Sequence, residues 1–182
     1  MIYKKQLLTK YENVILVDAG DHIQGGTMGL VSNGLAIIDI MNKVGYDVAT
    51  LGNHEFDYGV AQLEECAKEL KCGYISTNYC LHKDKKAIYP AYKIIEKGGK
   101  KIAFIGVATP QTLSKTSLVT IRDENGDLVY DFLTENHSKE LFERVQQQID
   151  IVKSEGADYV IIVAHLGIDG DALEENTSRG LL

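Results

Sequence analysis

The 182-residue chain contains no apolar run approaching the roughly 20 residues that a membrane-spanning helix needs. Its opening stretch, Met1 to Lys10, interleaves lysine with leucine and lacks the continuous apolar core of a signal peptide. Positive charge is also in short supply. Nineteen basic residues stand against 26 acidic ones, a net charge of −7, and no basic stripe gathers along the chain. Neither nucleic acid, bound through its phosphates, nor a membrane is therefore expected as a partner. Cysteine is scarce: Cys66, Cys72 and Cys80 form no C-x-x-C pair, and three cannot all pair within one chain. They read as free thiols. Internal repeats, low-complexity tracts and obvious linkers are absent too.

What remains is ordinary globular material, 45% apolar and 25% charged, enough for one domain with a sizeable core. Helical and strand periods alternate along it. Lys4 to Tyr11 reads as the end of a helix, and Val14-Ile15-Leu16-Val17 as a short buried strand. Apolar spacing predicts a helix over Leu30 to Val44, ended by Gly45, and another over Val60 to Leu70 with Glu64, Glu65, Lys68 and Glu69 facing water. Val48 to Leu51 and Tyr74 to Thr77 read as strands. Gly98-Gly99 sits between Tyr92–Glu96 and Lys101–Val107 as a hairpin turn, and Asn125-Gly126 is a second turn candidate within Ile121 to Phe132. Leu141, Val145, Ile149 and Val152 mark a helix over His137 to Ser154, closed by Gly156, and Tyr159 to Ala164 is a last apolar strand. The fold expected is an α/β sandwich with a mixed β-sheet.

Three of these strands end on polar residues. Val14–Val17 leads to Asp18-Ala19-Gly20-Asp21, Val48–Leu51 to Gly52-Asn53-His54, and Tyr159–Ala164 to His165. Ligands of open α/β sheets bind beyond the carboxyl ends of strands. Asp18 reads as a loop hydrogen-bonding residue, whereas Asp21, Asn53 and His165 together offer an anionic oxygen, a neutral oxygen and an imidazole. That mixture suits Mn²⁺, Zn²⁺ or iron better than Ca²⁺. The strand Lys101–Val107 ends in Ala108-Thr109-Pro110, with no ligand. Gly20, Gly25, Gly26 and Gly52 allow sharp bends and close approach around these residues.

Gly20-Asp21-His22-Ile23-Gln24-Gly25 resembles the G-D-x-x-Q-G motif of the 5′-nucleotidase family within the calcineurin-like metallophosphoesterases. Gly52-Asn53-His54-Glu55-Phe56-Asp57-Tyr58-Gly59 resembles that family's G-N-H-E-F-D-x-G motif, and Ala164-His165-Leu166-Gly167 its later strand-end histidine. The resemblance covers essentially the whole chain. It implies that Asp21 bridges two divalent metal ions (Zn, Mn or similar), that Asn53 and His165 bind the second of them, and that His54, oriented by Asp57, stabilises the phosphoryl transition state or protonates the leaving alkoxide. The implied substrate is a nucleotide or another phosphate ester, and the implied location extracytoplasmic.

The resemblance also marks departures. The family's opening D-x-H strand has no counterpart in Met1 to Gly20, which contain no histidine. Arg179-Gly180-Leu181-Leu182 resembles the helix before the family's closing G-H-x-H or G-H-x-Q strand. The expectation is thus a partial catalytic domain over 1–182, without the C-terminal nucleotide-specificity domain, holding one cation or none and of weak or no activity. A strand left without its neighbour would favour self-association. The alternatives are a 2′,3′-cyclic-nucleotide phosphodiesterase or nucleotide-sugar hydrolase and, in another class, an inactive binding module on the same fold.

Overall fold

The computed structural model describes residues 2–115, 121–134 and 139–167. The start of the last expected helix, around His137, and the segment Arg179 to Leu182 lie outside the described residues. In order, the elements are α1 (Ile2–Leu8), β1 (Val17–Asp18), α2 (Thr27–Ser32), α3 (Leu35–Val44), β2 (Val48–Thr50), a 3₁₀ turn (His54–Phe56), α4 (Val60–Glu69), β3 (Tyr74–Ile75) and β4 (Cys80–Leu81). After these come β5 (Tyr92–Lys97), β6 (Lys100–Val107), α5 (Thr112–Lys115), β7 (Tyr130–Asp131), α6 (Lys139–Ser154) and β8 (Tyr159–Ala164). No helix among the described residues is long and apolar enough to cross a membrane.

The strands form three small sheets: parallel β1-β2-β3, antiparallel β4-β7, and β5-β6-β8, in which β6 is antiparallel to β5 and parallel to β8. Strand alternation sets the layers. On β2, Ala49 joins Ile38 and Met41 of α3 and Leu63 and Cys66 of α4 in one core. Its neighbour Val48 points the other way, with Ile75, to meet Phe104 of β6 and Val163 of β8. Ala103 and Ile105, on the far face of β6, pack against Val152 of α6. The result is a four-layer sandwich, helix–sheet–sheet–helix. The expected α/β sandwich with mixed pairing is what the chain forms.

Gly45 (φ 79°) ends α3 and Gly156 (φ 86°) follows α6, both in the left-handed region that glycine tolerates. The single helix expected over Leu30–Val44 is instead two, parted at Asn33 and Gly34, both left-handed. A Cβ on Gly34 would stand 2.7 Å from Cβ of Ile23, so the break lets the chain pass close over that core residue. The strand expected at Val14–Val17 shrinks to Val17–Asp18, because the Leu16 amide donates to Asp47 Oδ2 and not to a strand. The Asn125-Gly126 turn holds only the bridge Arg122–Leu128, and β7 pairs with β4, a strand unread in the sequence.

Candidate active site

β1, β2 and β8 each run into a polar loop at the same end of the sandwich. There, Asp21, Asn53, His54, His165, Leu166 and Gly167, with Thr109 and Gln111 from the loop after β6, line an open cleft of about 350 Å³. Four of the five expected site residues line it, and Asp57 reaches it through His54. Thr109 and Gln111 were not legible as site residues, because the β6 end looked empty of ligands. Both residues line the cleft all the same.

Asp21 joins these loops. Its Oδ1 accepts the His54 backbone N–H at 2.9 Å and its Oδ2 lies 3.1 Å from His165 Nε2. Burial pushes its carboxyl up, but the hydrogen bond from His165, the His54 amide and the two imidazole charges outweigh that and hold it below its ordinary value. His165 is raised above its ordinary value, first by the hydrogen bond to Asp21, against an opposing cost of burial. Its Nδ1 lies 2.9 Å from the Ala19 carbonyl, so that nitrogen carries the proton and Nε2 is turned to Asp21. An imidazole anchored at one nitrogen by a backbone carbonyl is the arrangement that orients metal-binding histidines.

His54 Nδ1 meets Asp57 Oδ2 at 2.6 Å. That hydrogen bond raises the imidazole's pKa above its usual value, outweighing partial burial. Nε2, the other ring nitrogen, has no partner among the described residues, and the ring borders the cleft. Behind this surface sits a second layer. Asp18 Oδ1 accepts from the Gly20 amide at 2.9 Å and lies 2.7 Å from His22 Nδ1, the loop role expected of it. His22 Nε2 lies 2.8 Å from the Tyr74 hydroxyl. Burial alone would lower the His22 pKa, but Asp18, Glu55 and Asp21 carry it above its ordinary value. Glu55, to which the motif reading assigns no role, is fully buried and accepts hydrogen bonds from the backbone of both motifs.

The residues available to hold a metal are Asp21, Asn53 and His165. Among the described residues, no three His, Cys, Asp or Glu side chains converge on one point. Two observations fit one cation nonetheless. The donor set is oxygen and imidazole nitrogen, and the Asp21 carboxylate is seated in a cradle that a Cβ on Gly52 would fill, 2.2 Å from Oδ1.

Comparison with known proteins identifies the family of the chain. The model of the family described as bacterial capsule synthesis protein PGA_cap matches residues 8–181. A 5′-nucleotidase of Rattus norvegicus is 30% identical over 98% of this chain and 30% of its own length. A 2′,3′-cyclic-nucleotide 2′-phosphodiesterase/3′-nucleotidase of Salmonella typhimurium is 31% identical over 88% of this chain and 26% of its own length. This chain thus spans under a third of either relative. Among solved structures, the calcineurin-like phosphoesterase YfkN of Bacillus subtilis superposes with a TM-score of 0.77 at 28% identity, over 98% of this chain and 57% of that one. The chain belongs to the PGA_cap family, within the calcineurin-like metallophosphoesterases that also hold the 5′-nucleotidases.

Proposed function

We propose that the chain carries part of the active site of a metal-dependent phosphate-ester hydrolase acting on nucleotides. The observation that supports it is the meeting of Asp21, Asn53, His54 and His165, from three separate strand ends, at one cleft. Asp21, Asn53 and His165 would hold a divalent cation, which when bound would supply positive charge to the phosphoryl oxygens and lower the pKa of water. Asp57 holds the Nδ1 proton of His54 and favours the charged imidazolium, which attracts the phosphate dianion. His54 Nε2 then donates a proton to the departing oxygen. Thr109 and Gln111 form part of the neighbouring wall.

The likeness to the Salmonella enzyme favours a second substrate, a 2′,3′-cyclic nucleotide. Titration with Mn²⁺ and with Zn²⁺, followed by assays of phosphate release from nucleoside 5′-monophosphates and of ring opening in 2′,3′-cyclic nucleotides, separates the two. Metal-dependent turnover is expected to be weak, as for a partial site, with His54→Ala lowering kcat further by about 10²–10⁴. Metal and nucleotide binding with no turnover of either substrate would indicate a binding module. Absence of metal binding would overturn the proposal.

A further inference from the structure

We propose that Glu55 is a positioning residue, whose carboxylate holds Asp21 in the left-handed backbone conformation that aims its side chain at His54 and His165. Gly20 and Asp21 have consecutive positive φ angles, 95° and 64°. Glycine adopts that conformation freely and aspartate less readily, so at Asp21 local contacts add to what keeps the backbone there. Such a turn points successive N–H groups towards one place, a concavity that binds anions. The anion here is supplied from within the chain. Glu55 is 0% exposed, and its Oε2 accepts the amide of Asp21 at 2.7 Å while Oε1 accepts that of His22 at 2.8 Å, with Ile23 more distant at 3.4 Å.

The same Oε2 also accepts the Gly52 amide at 2.6 Å, so one oxygen atom ties together the loops after β1 and β2. The loops touch closely enough that a Cβ on Gly20 would stand 2.3 Å from the Gly52 nitrogen. From Asp21 the linkage returns, because Oδ1 accepts the backbone N–H of His54, next to Glu55 in sequence. A closed ring of hydrogen bonds thus runs from Glu55 through the Asp21 backbone and side chain to His54. Every backbone partner is a donor, and a carboxylate presents acceptors on both sides. Glutamine has the same shape but one acceptor oxygen, so its NH₂ group must face N–H donors on one side.

Glu55→Gln tests this without opening a cavity. Amide hydrogen exchange on the metal-free chain is expected to speed up by about tenfold or more at Gly52 and Asp21 or at His22, the loss of one charge-assisted hydrogen bond. Exchange at Phe104 and Ile105 in β6 stays as in the wild type. Leu63→Ala, a buried change in α4, serves as control for general loosening. Equal effects at both places, or the same local effect from Leu63→Ala, would overturn the proposal. A double-mutant cycle adds a second reading. Glycine at position 21 needs no clamp, so Glu55→Gln should destabilise an Asp21→Gly background less than the wild type. Should Glu55→Gln alone not fold, Asp21→Gly is expected to restore folding, and failure to do so counts against the clamp. A third arm rests on the proposed function: Mn²⁺ affinity falls about 10–100-fold in Glu55→Gln, as when partners of metal ligands are removed. Wild-type affinity retained in that variant would contradict the clamp. A wild-type chain that binds no Mn²⁺ would instead sink the proposed function and leave the exchange measurement to decide on Glu55.

Discussion

A single buried carboxylate away from the cleft shows how much one side chain organises in this chain. Asp131 of β7 is 4% exposed, and its Oδ2 meets Lys85 Nζ at 2.5 Å and His82 Nδ1 at 2.9 Å. Its Oδ1 accepts the Leu133 amide at 2.8 Å. Burial alone would raise its pKa, but Lys85, His82 and the Leu133 amide together hold it below the ordinary value of 3.8. A carboxyl whose pKa is depressed by folding stabilises the native state above its unfolded pKa, and that contribution fades as pH falls through the folded value. Asp131→Asn is therefore expected to cost about 1–3 kcal/mol at neutral pH, the usual loss for a buried charged hydrogen-bonding group. Thermal melts of both proteins should show the gap in Tm closing below about pH 4, where the unfolded aspartate begins to protonate. A gap that persists unchanged to pH 2 would contradict this. Residues of this kind are invisible to motif reading. His82 and Asp131 lie 49 positions apart, and only the pairing of β4 with β7 brings them together. Asp21, Asn53 and His54 were legible because strand ends announce them, while Glu55 was hidden in the open, inside a motif whose neighbours carry the chemistry.

At the scale of elements, the sequence is most informative where one period runs undisturbed. The hairpin β5–β6, the amphipathic α4 and α6, and the apolar β8 sit within a residue or two of where their patterns place them. It is least informative where tertiary contact decides. The apolar spacing from Leu30 to Val44 continues across the break at Asn33-Gly34, so periodicity conceals it. The contact between the two sheets is similarly unannounced. Gly106 donates to the Ala91 carbonyl and accepts from Thr77, and at this point β6 passes so close to β3 that a Cβ would stand 2.2 Å from the Ile75 carbonyl oxygen. The obstacle is backbone on a paired strand, not the end of a flexible side chain. Gly106→Ala is expected to force the sheets apart and cost about 1–3 kcal/mol, the range for overpacked cores. Denaturant titration measures it, and a midpoint equal to the wild type's would show that the sheets yield freely.

At the scale of the molecule, two strand edges unpaired among the described residues lie side by side. Among the described residues, β1 is the outer strand of its sheet and β8 the outer strand of the other. Between them runs an apolar groove of about 440 Å³, lined by Ile15, Val17, Phe104, Ile161 and Val163 among others. Ile161 is 44% exposed and Tyr159 58%. Exposed apolar strand edges invite pairing with another chain, and a second copy presents the same two edges. The expectation from the sequence concerned the strand at Val14–Val17 and did not address β8, because an apolar strand reads alike at an edge and in the middle of a sheet. Opposing association is the net charge of −7, which makes copies repel at low ionic strength. Salt screens that repulsion over about 8–10 Å at physiological strength while leaving apolar contact intact. Sedimentation velocity should therefore show a monomer at low salt and a concentration-dependent shift to larger species as salt rises. Ile161→Lys, which places a charge in the groove, should suppress that shift. Association that weakens with salt would mean that charge pairing, not the open edges, brings copies together, and a monomer stable to concentration at every salt would mean that the groove attracts no second copy.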